Sequence, residues 1–106
     1  MLKSVDNPGV VTVINIMAVQ PGKQERVATL QLELVEKVKQ SWPGFISQQT
    51  LISTDGTKVA TIERWRTQED LLAITKNPSL LEYRSQIQQY AELAPAIYQV
   101  IGEKQS

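Results

Sequence analysis

With 106 residues, 42% of them hydrophobic, the chain suits one compact domain around a single modest core and leaves no room for a second. Eleven Lys and Arg balance eleven Asp and Glu, so no net field draws the protein to phosphate backbones or anionic bilayers, and nucleic acid is not an expected partner. The absence of both cysteine and histidine removes thiolate nucleophiles, Ser-His and Cys-His dyads, disulfides, the usual zinc sites and histidine-ligated haem.

Residues 1–9 form a polar arm without the basic-then-apolar order of a leader, and no run is long enough to span a bilayer; a cytoplasmic protein with no membrane contact is expected. Val10 to Val19 is almost continuously apolar and β-branched, interrupted by Thr12 and Asn15, and predicts a strand that needs cover on both faces. Gln20-Pro21-Gly22 breaks it. Val27, Leu30, Leu34 and Val38 then recur at helical spacing, with Glu33 and Lys37 on the wetter side, predicting a helix of about five turns. Pro43-Gly44 ends that helix, and two strands follow, Phe45 to Thr54 and Lys58 to Arg66, around Asp55-Gly56. That dipeptide predicts a type I′ hairpin turn, and the hairpin delivers the Trp65 indole to one end of a sheet.

Thr67 precedes Gln68-Glu69-Asp70 as a helix cap, and a short helix runs to about Lys76. Asn77-Pro78 starts another, predicted to reach Ala94 with Leu80, Tyr83, Ile87, Tyr90, Ala91 and Ala94 on one side. Pro95 stops it, Ala96 to Ile101 is a last strand, and residues 103–106 are a polar tail. The domain therefore spans 10–102 in the order β-α-β-β-α-β, an α+β ferredoxin-like fold with a four-stranded antiparallel sheet and helices on one face. Two helical layers hide only one side of that sheet, yet strand one offers apolar side chains to both. A homodimer whose sheet faces meet is the expected cover.

The first strand closing on Pro21-Gly22-Lys23, then Pro43-Gly44-Phe45, Asp55-Gly56-Thr57, Trp65 and the Tyr83 and Tyr90 helix together resemble the antibiotic biosynthesis monooxygenase family of dimeric α/β barrel proteins. The likeness covers about Val10 to Ile101. It implies a cavity in each subunit between sheet and helices, with the opposite sheet faces forming the dimer. It also implies oxidation of a small aromatic or quinol-like substrate by O₂ without metal, flavin or other cofactor. Asn15, seven residues before Gly22, matches an amide of haem-degrading members, and Trp65 matches their tryptophan. Their iron-ligating histidine falls near Arg84, and with no histidine in the chain haem degradation is excluded. Phenol-oxidising members carry an amide where this chain has Thr61 and a tyrosine where it has Leu71.

Parity puts Asn15 with Val11, Val13, Met17 and Val19, and Trp65 with Val59, Thr61 and Glu63. The resemblance makes Asn15 and Trp65 the candidate catalytic residues, on the condition that the two strands turn these faces to the helices. Phe45, Leu51, Thr61, Glu63, Tyr83, Arg84 and Tyr90 are candidates for the substrate wall, and no metal ligands are expected. Each residue has an ordinary alternative: Trp65 and the tyrosines as packing, Glu63 as an ion-pair partner, Arg84 as a surface residue. Asn15, an amide among apolar neighbours, must meet a backbone group, a water or a ligand. The rival to an oxygenase is a small-molecule binding or tailoring protein on the same barrel.

Overall fold

The β-branched run after Gly9 forms β1 (Val11–Val19), at the centre of an antiparallel sheet. The computed structural model describes residues 2, 3, 5 and 7–106, so the expected arm over 1–9 lies partly outside the described residues. β2 (Phe45–Ile52) and β3 (Lys58–Trp65) make the hairpin, and β3 lies along β1 with Val11 opposite Trp65, Val13 opposite Glu63, Asn15 opposite Thr61 and Met17 opposite Val59. Those eight residues form the floor of the core, as their shared parity requires. Helix α1 (Gln24–Leu34) covers one end of the floor. Helices α2 (Gln68–Ile74) and α3 (Pro78–Gln88) complete the layer.

Both expected caps are in place. Thr67 Oγ1 accepts from the Asp70 N–H at 3.0 Å, and Asn77 Oδ1 accepts from the N–H groups of Ser79 and Leu80 at 2.9 and 3.1 Å, with Pro78 in the first turn. The Asp70 side chain also lies close against the chain before β2. Gly44 sits at φ +82°, and a Cβ there would overlap the Asp70 side chain. Gly44→Ala therefore meets both a left-handed backbone and a filled space, and a stability loss of about 2 kcal/mol or more is expected by urea denaturation. A loss below about 0.5 kcal/mol would show that the Asp70 contact gives way freely.

Four sequence expectations need correction. The hairpin turn is not type I′: Asp55 has no positive φ, and only Gly56, at +80°, is left-handed. Ser53 and Lys58 instead bracket a four-residue loop in which the Gly56 N–H donates to Ser53 O at 3.2 Å. The Asp55 carboxylate organises this loop, accepting from the Thr57 hydroxyl, the Ser53 hydroxyl and the Thr57 N–H, and these hydrogen bonds lower its pKa to about 2.

The second correction is a bulge between Phe45 and Ser47, which inserts Ile46 and reverses the parity of the rest of β2. Phe45 faces Trp65 edge-on with ring centroids 5.5 Å apart, Gln48 and Thr50 pair with Glu63 and Thr61 on the inner side, and Leu51 pairs with Ala60. Leu51 thus lies on the outer face, 44% exposed, rather than on the expected substrate wall.

Third, α1 does not continue as a regular helix. Val35–Lys39 forms a π-helical turn closed by the Gln40 N–H on Val35 O, five residues back, and the wider turn brings both Val38 and Lys39 to the buried side. Fourth, α3 ends at Gln88 rather than Ala94, because the chain beyond it pairs with β1 instead. Two short strands, β4 (Ala91–Glu92) and β5 (Pro95–Tyr98), replace the expected strand from Ala96 to Ile101. Pro95 opens β5 opposite Asn15 on the sheet edge, where a missing N–H is tolerated. No helix among the described residues is long and apolar enough to cross a membrane.

Candidate functional site

Between the floor and the helices the core separates into two packed clusters, one around Trp65, Leu34, Ile74 and Leu80 and the other around Met17, Leu30, Val59 and Ile87. A cavity of about 240 Å³ lies among these elements, larger than the roughly 150 Å³ apolar cavity that admits benzene. Its floor is Val13 and Asn15 of β1 with Thr61 and Glu63 of β3; Gln31, Leu34 and Lys39 come from α1 and its π turn. Leu71, Ile74, Leu80, Arg84 and Ile87 close it from α2 and α3, and Leu93, Pro95, Ala96 and Ile97 form its edge.

Asn15 holds that edge in shape. The chain between β4 and β5 steps away from β1, and the Ala94 N–H, which has no strand partner there, donates to Asn15 Oδ1 at 2.9 Å. An N–H must face the amide oxygen, so this contact fixes the orientation of the amide. Nδ2 is then the end with no protein partner among the described residues, on a residue that lines the cavity. The backbone group expected for this half-buried amide is present, and it occupies only the acceptor.

Glu63 is fully committed. Its Oε2 accepts from Lys39 Nζ at 2.7 Å and from Gln48 Nε2 at 2.8 Å, while Oε1 accepts from the Trp65 indole N–H at 2.7 Å. With Glu63 4% and Lys39 9% exposed, this is a buried ion pair whose carboxylate takes three donors. The arrangement ties the carboxylate to three side chains of the fold. Trp65, fully buried, packs against Phe45 and does not line the cavity; it reaches the site only through Glu63. Tyr83 packs against both clusters, and Tyr90 lies under the Lys23 ammonium, 5.3 Å from its ring centroid.

Of the nine candidates, the cavity brings together Asn15, Thr61, Glu63 and Arg84, while Trp65, Phe45, Leu51, Tyr83 and Tyr90 lie off its lining. Arg84 is half-buried and forms no ion pair among the described residues. Three polar lining residues escaped the sequence reading: Gln31, Lys39 and Thr75, the last at the end of α2. Gln31 sits on the apolar stripe of Val27, Leu34 and Val38, a polar residue where the helical period calls for an apolar one, so the signal was present. Lys39 gave none, since only the π turn carries it inward. Among the described residues no cluster of acidic side chains could hold a metal ion.

The model of the antibiotic biosynthesis monooxygenase family matches residues 10–86. Tetracenomycin-F1 monooxygenase of Streptomyces glaucescens is 30% identical over 74 residues, covering 70% of this chain and 66% of that enzyme's length. Among solved structures, a variant of SnoaB, a cofactor-independent oxygenase from Streptomyces nogalater, superposes with a TM-score of 0.79 at 15% identity, over 89% of this chain and 95% of that one. Rv0793 from Mycobacterium tuberculosis gives 0.77 at 21% identity, over 92% and 100%. The two structural matches establish the ferredoxin-like fold, and the family model, spanning most of the chain, establishes descent: the protein belongs to the antibiotic biosynthesis monooxygenase family.

Proposed function

We propose that the protein is a cofactor-independent monooxygenase that oxidises a small, electron-rich aromatic or quinol-like molecule with O₂ in the cavity between sheet and helices. The observation that carries this reading is a largely apolar cavity whose unpaired polar ends include two donors, Asn15 Nδ2 and the Arg84 guanidinium. Such a site favours an anionic oxygen in dry surroundings, where a fixed donor is worth more than in water. The monooxygenase named above, 30% identical, supports the reaction class.

The substrate supplies the electrons. Loss of a proton from its reactive CH₂ group leaves an anion delocalised onto the phenolic or carbonyl oxygen, which Asn15 and Arg84 hold. That anion passes one electron to O₂, and the resulting radicals join in a C–O bond. The peroxide takes up the proton, its O–O bond breaks as the second C–H proton leaves, and a carbonyl and one water result. One oxygen atom stays in the product, and the four electrons removed from carbon reduce the O₂. Trp65 acts as a positioning residue, steadying Glu63 and through it Lys39 at the cavity wall.

The outer sheet face supports a homodimer, in which a second copy covers it in the cytoplasm. Ile16 and Leu51, 48% and 44% exposed, flank Ala60 there, and Ile14 pairs with Ile62. The test is oxygen uptake by the chelator-treated protein with an anthrone-like substrate, where about one O₂ is expected per quinone formed. Thermal stabilisation by the substrate without any uptake would instead favour the binding-protein reading.

A further inference from the structure

We infer that Gln31 determines which substrates the cavity accepts, by receiving a hydrogen bond from a ring hydroxyl of the bound molecule. The inference rests on the cavity being the substrate site. Gln31 lies in the middle of α1, 5% exposed, and its one partner among the described residues is the Met17 thioether, with Nε2 3.5 Å from Sδ. A thioether is a weak acceptor, so this contact places the NH₂ end of the amide without satisfying it strongly. No described donor reaches Oε1. Gln31 lines the cavity and its Oε1 has no partner among the described residues, so a guest molecule is its available partner.

The other polar groups of the cavity give this acceptor its importance. Asn15 Oδ1 is taken by the Ala94 N–H, and both oxygens of Glu63 are taken by Lys39, Gln48 and Trp65. Thr75 donates its hydroxyl hydrogen to Leu72 O at 2.6 Å. What remains free is mostly donor: Asn15 Nδ2 and the Arg84 guanidinium, with the Thr61 hydroxyl able to serve either way. Donors bind a carbonyl, a phenolate or an ether oxygen alike. A hydroxyl hydrogen is recognised by an acceptor, and Gln31 Oε1 is the amide carbonyl in place for it.

Position sets which hydroxyl this is. Gln31 meets the floor at Met17, one same-face step along β1 from Asn15, or about 7 Å between backbones. Asn15 Nδ2 donates and Gln31 Oε1 accepts, so the oxygen held by the first and the hydroxyl hydrogen received by the second belong to different recognition contacts. The ligand that Gln31 selects therefore carries a protonated hydroxyl in addition to the oxygen held by Asn15.

The experiment compares a dihydroxyanthraquinone with its dimethyl ether, each titrated against tryptophan fluorescence at a pH where the phenols are neutral. The wild type is expected to prefer the hydroxylated compound by about tenfold or more. Gln31→Leu brings the ratio close to one, mainly by weakening the hydroxylated ligand, and Gln31→Glu, which keeps an acceptor, preserves the preference. Gln31→Met, closest in shape, replaces the leucine variant should circular dichroism show that it has not folded. A preference unchanged in a folded Leu or Met variant would mean that Gln31 bonds only water, and the inference falls. It falls equally if the wild type shows no preference or binds neither compound. The titration consumes no O₂, so failure of the oxygenase reading alone, seen as absent uptake, leaves this result readable.

Discussion

Glu63→Ala is expected to lower stability by about 3–5 kcal/mol, the largest loss foreseen for any single side chain of the site. Three donors lose their acceptor together: the Lys39 ammonium, the Gln48 amide and the Trp65 indole N–H. Lys39 then remains as a buried cation, and Trp65, at the centre of one core cluster, keeps an N–H that cannot reach water. For a domain of this size the loss corresponds to a fall of about 12 °C or more in Tm. A graded series separates charge from hydrogen bonding. Glu63→Gln keeps an oxygen for the indole but strands the ammonium, so an intermediate loss is expected. Adding Lys39→Met removes the stranded charge and recovers stability relative to Glu63→Gln alone, since deleting both members of a buried pair costs less than breaking it. Urea unfolding followed by circular dichroism reads all three variants. A loss under 1 kcal/mol in Glu63→Ala would show that water replaces the carboxylate and that the network is not closed.

The network also shows what was legible in the sequence. Parity grouped Thr61, Glu63 and Trp65 on one side of β3 and Asn15 with Val11, Val13 and Met17 on one side of β1, and the register of β1 against β3 brings the two groups onto the same face. Helix starts at Thr67 and Asn77 were equally legible, because a cap is a local event decided by a few adjacent residues. Asn15 announced itself as an amide out of place among valines. The features that escaped are those in which tertiary pairing adds or removes a residue. Nothing in Phe45-Ile46-Ser47 marks the bulge, yet it turns Leu51 away from the cavity and brings Gln48 to Glu63. Val35 to Lys39 reads as ordinary helix, yet its π turn brings in the lysine that Glu63 requires. Residues beyond Gln88 have helical spacing, and β1 takes them into the sheet because its free edge offers backbone partners that a further helical turn would leave unpaired. Both unforeseen backbone irregularities in β2 and α1 converge on one carboxylate, so the charged wall of the cavity is a product of the fold rather than of any local motif.

Asn15→Asp is expected to separate the two tasks of this residue. Asn15 Oδ1 supports the backbone by accepting from Ala94, while Nδ2 is the end available to a substrate oxygen. Aspartate retains the acceptor for the Ala94 N–H, so stability changes by about 1 kcal/mol or less, yet it puts a negative acceptor where the reaction needs a donor. Oxygen uptake is then expected to fall by about 10²–10³ in kcat, the loss typical of removing one donor from an oxyanion site, with little change in KM for the neutral form of the substrate. Asn15→Ala removes both ends, freeing the Ala94 N–H and loosening the edge formed by Leu93, Pro95, Ala96 and Ile97; about 0.5–1.5 kcal/mol of stability is lost along with the activity. Comparing the two variants by thermal denaturation and by oxygen electrode makes the assignment testable. If the aspartate variant is as stable as the wild type and equally active, Asn15 serves the backbone alone, and the donor that holds the substrate anion must be Arg84.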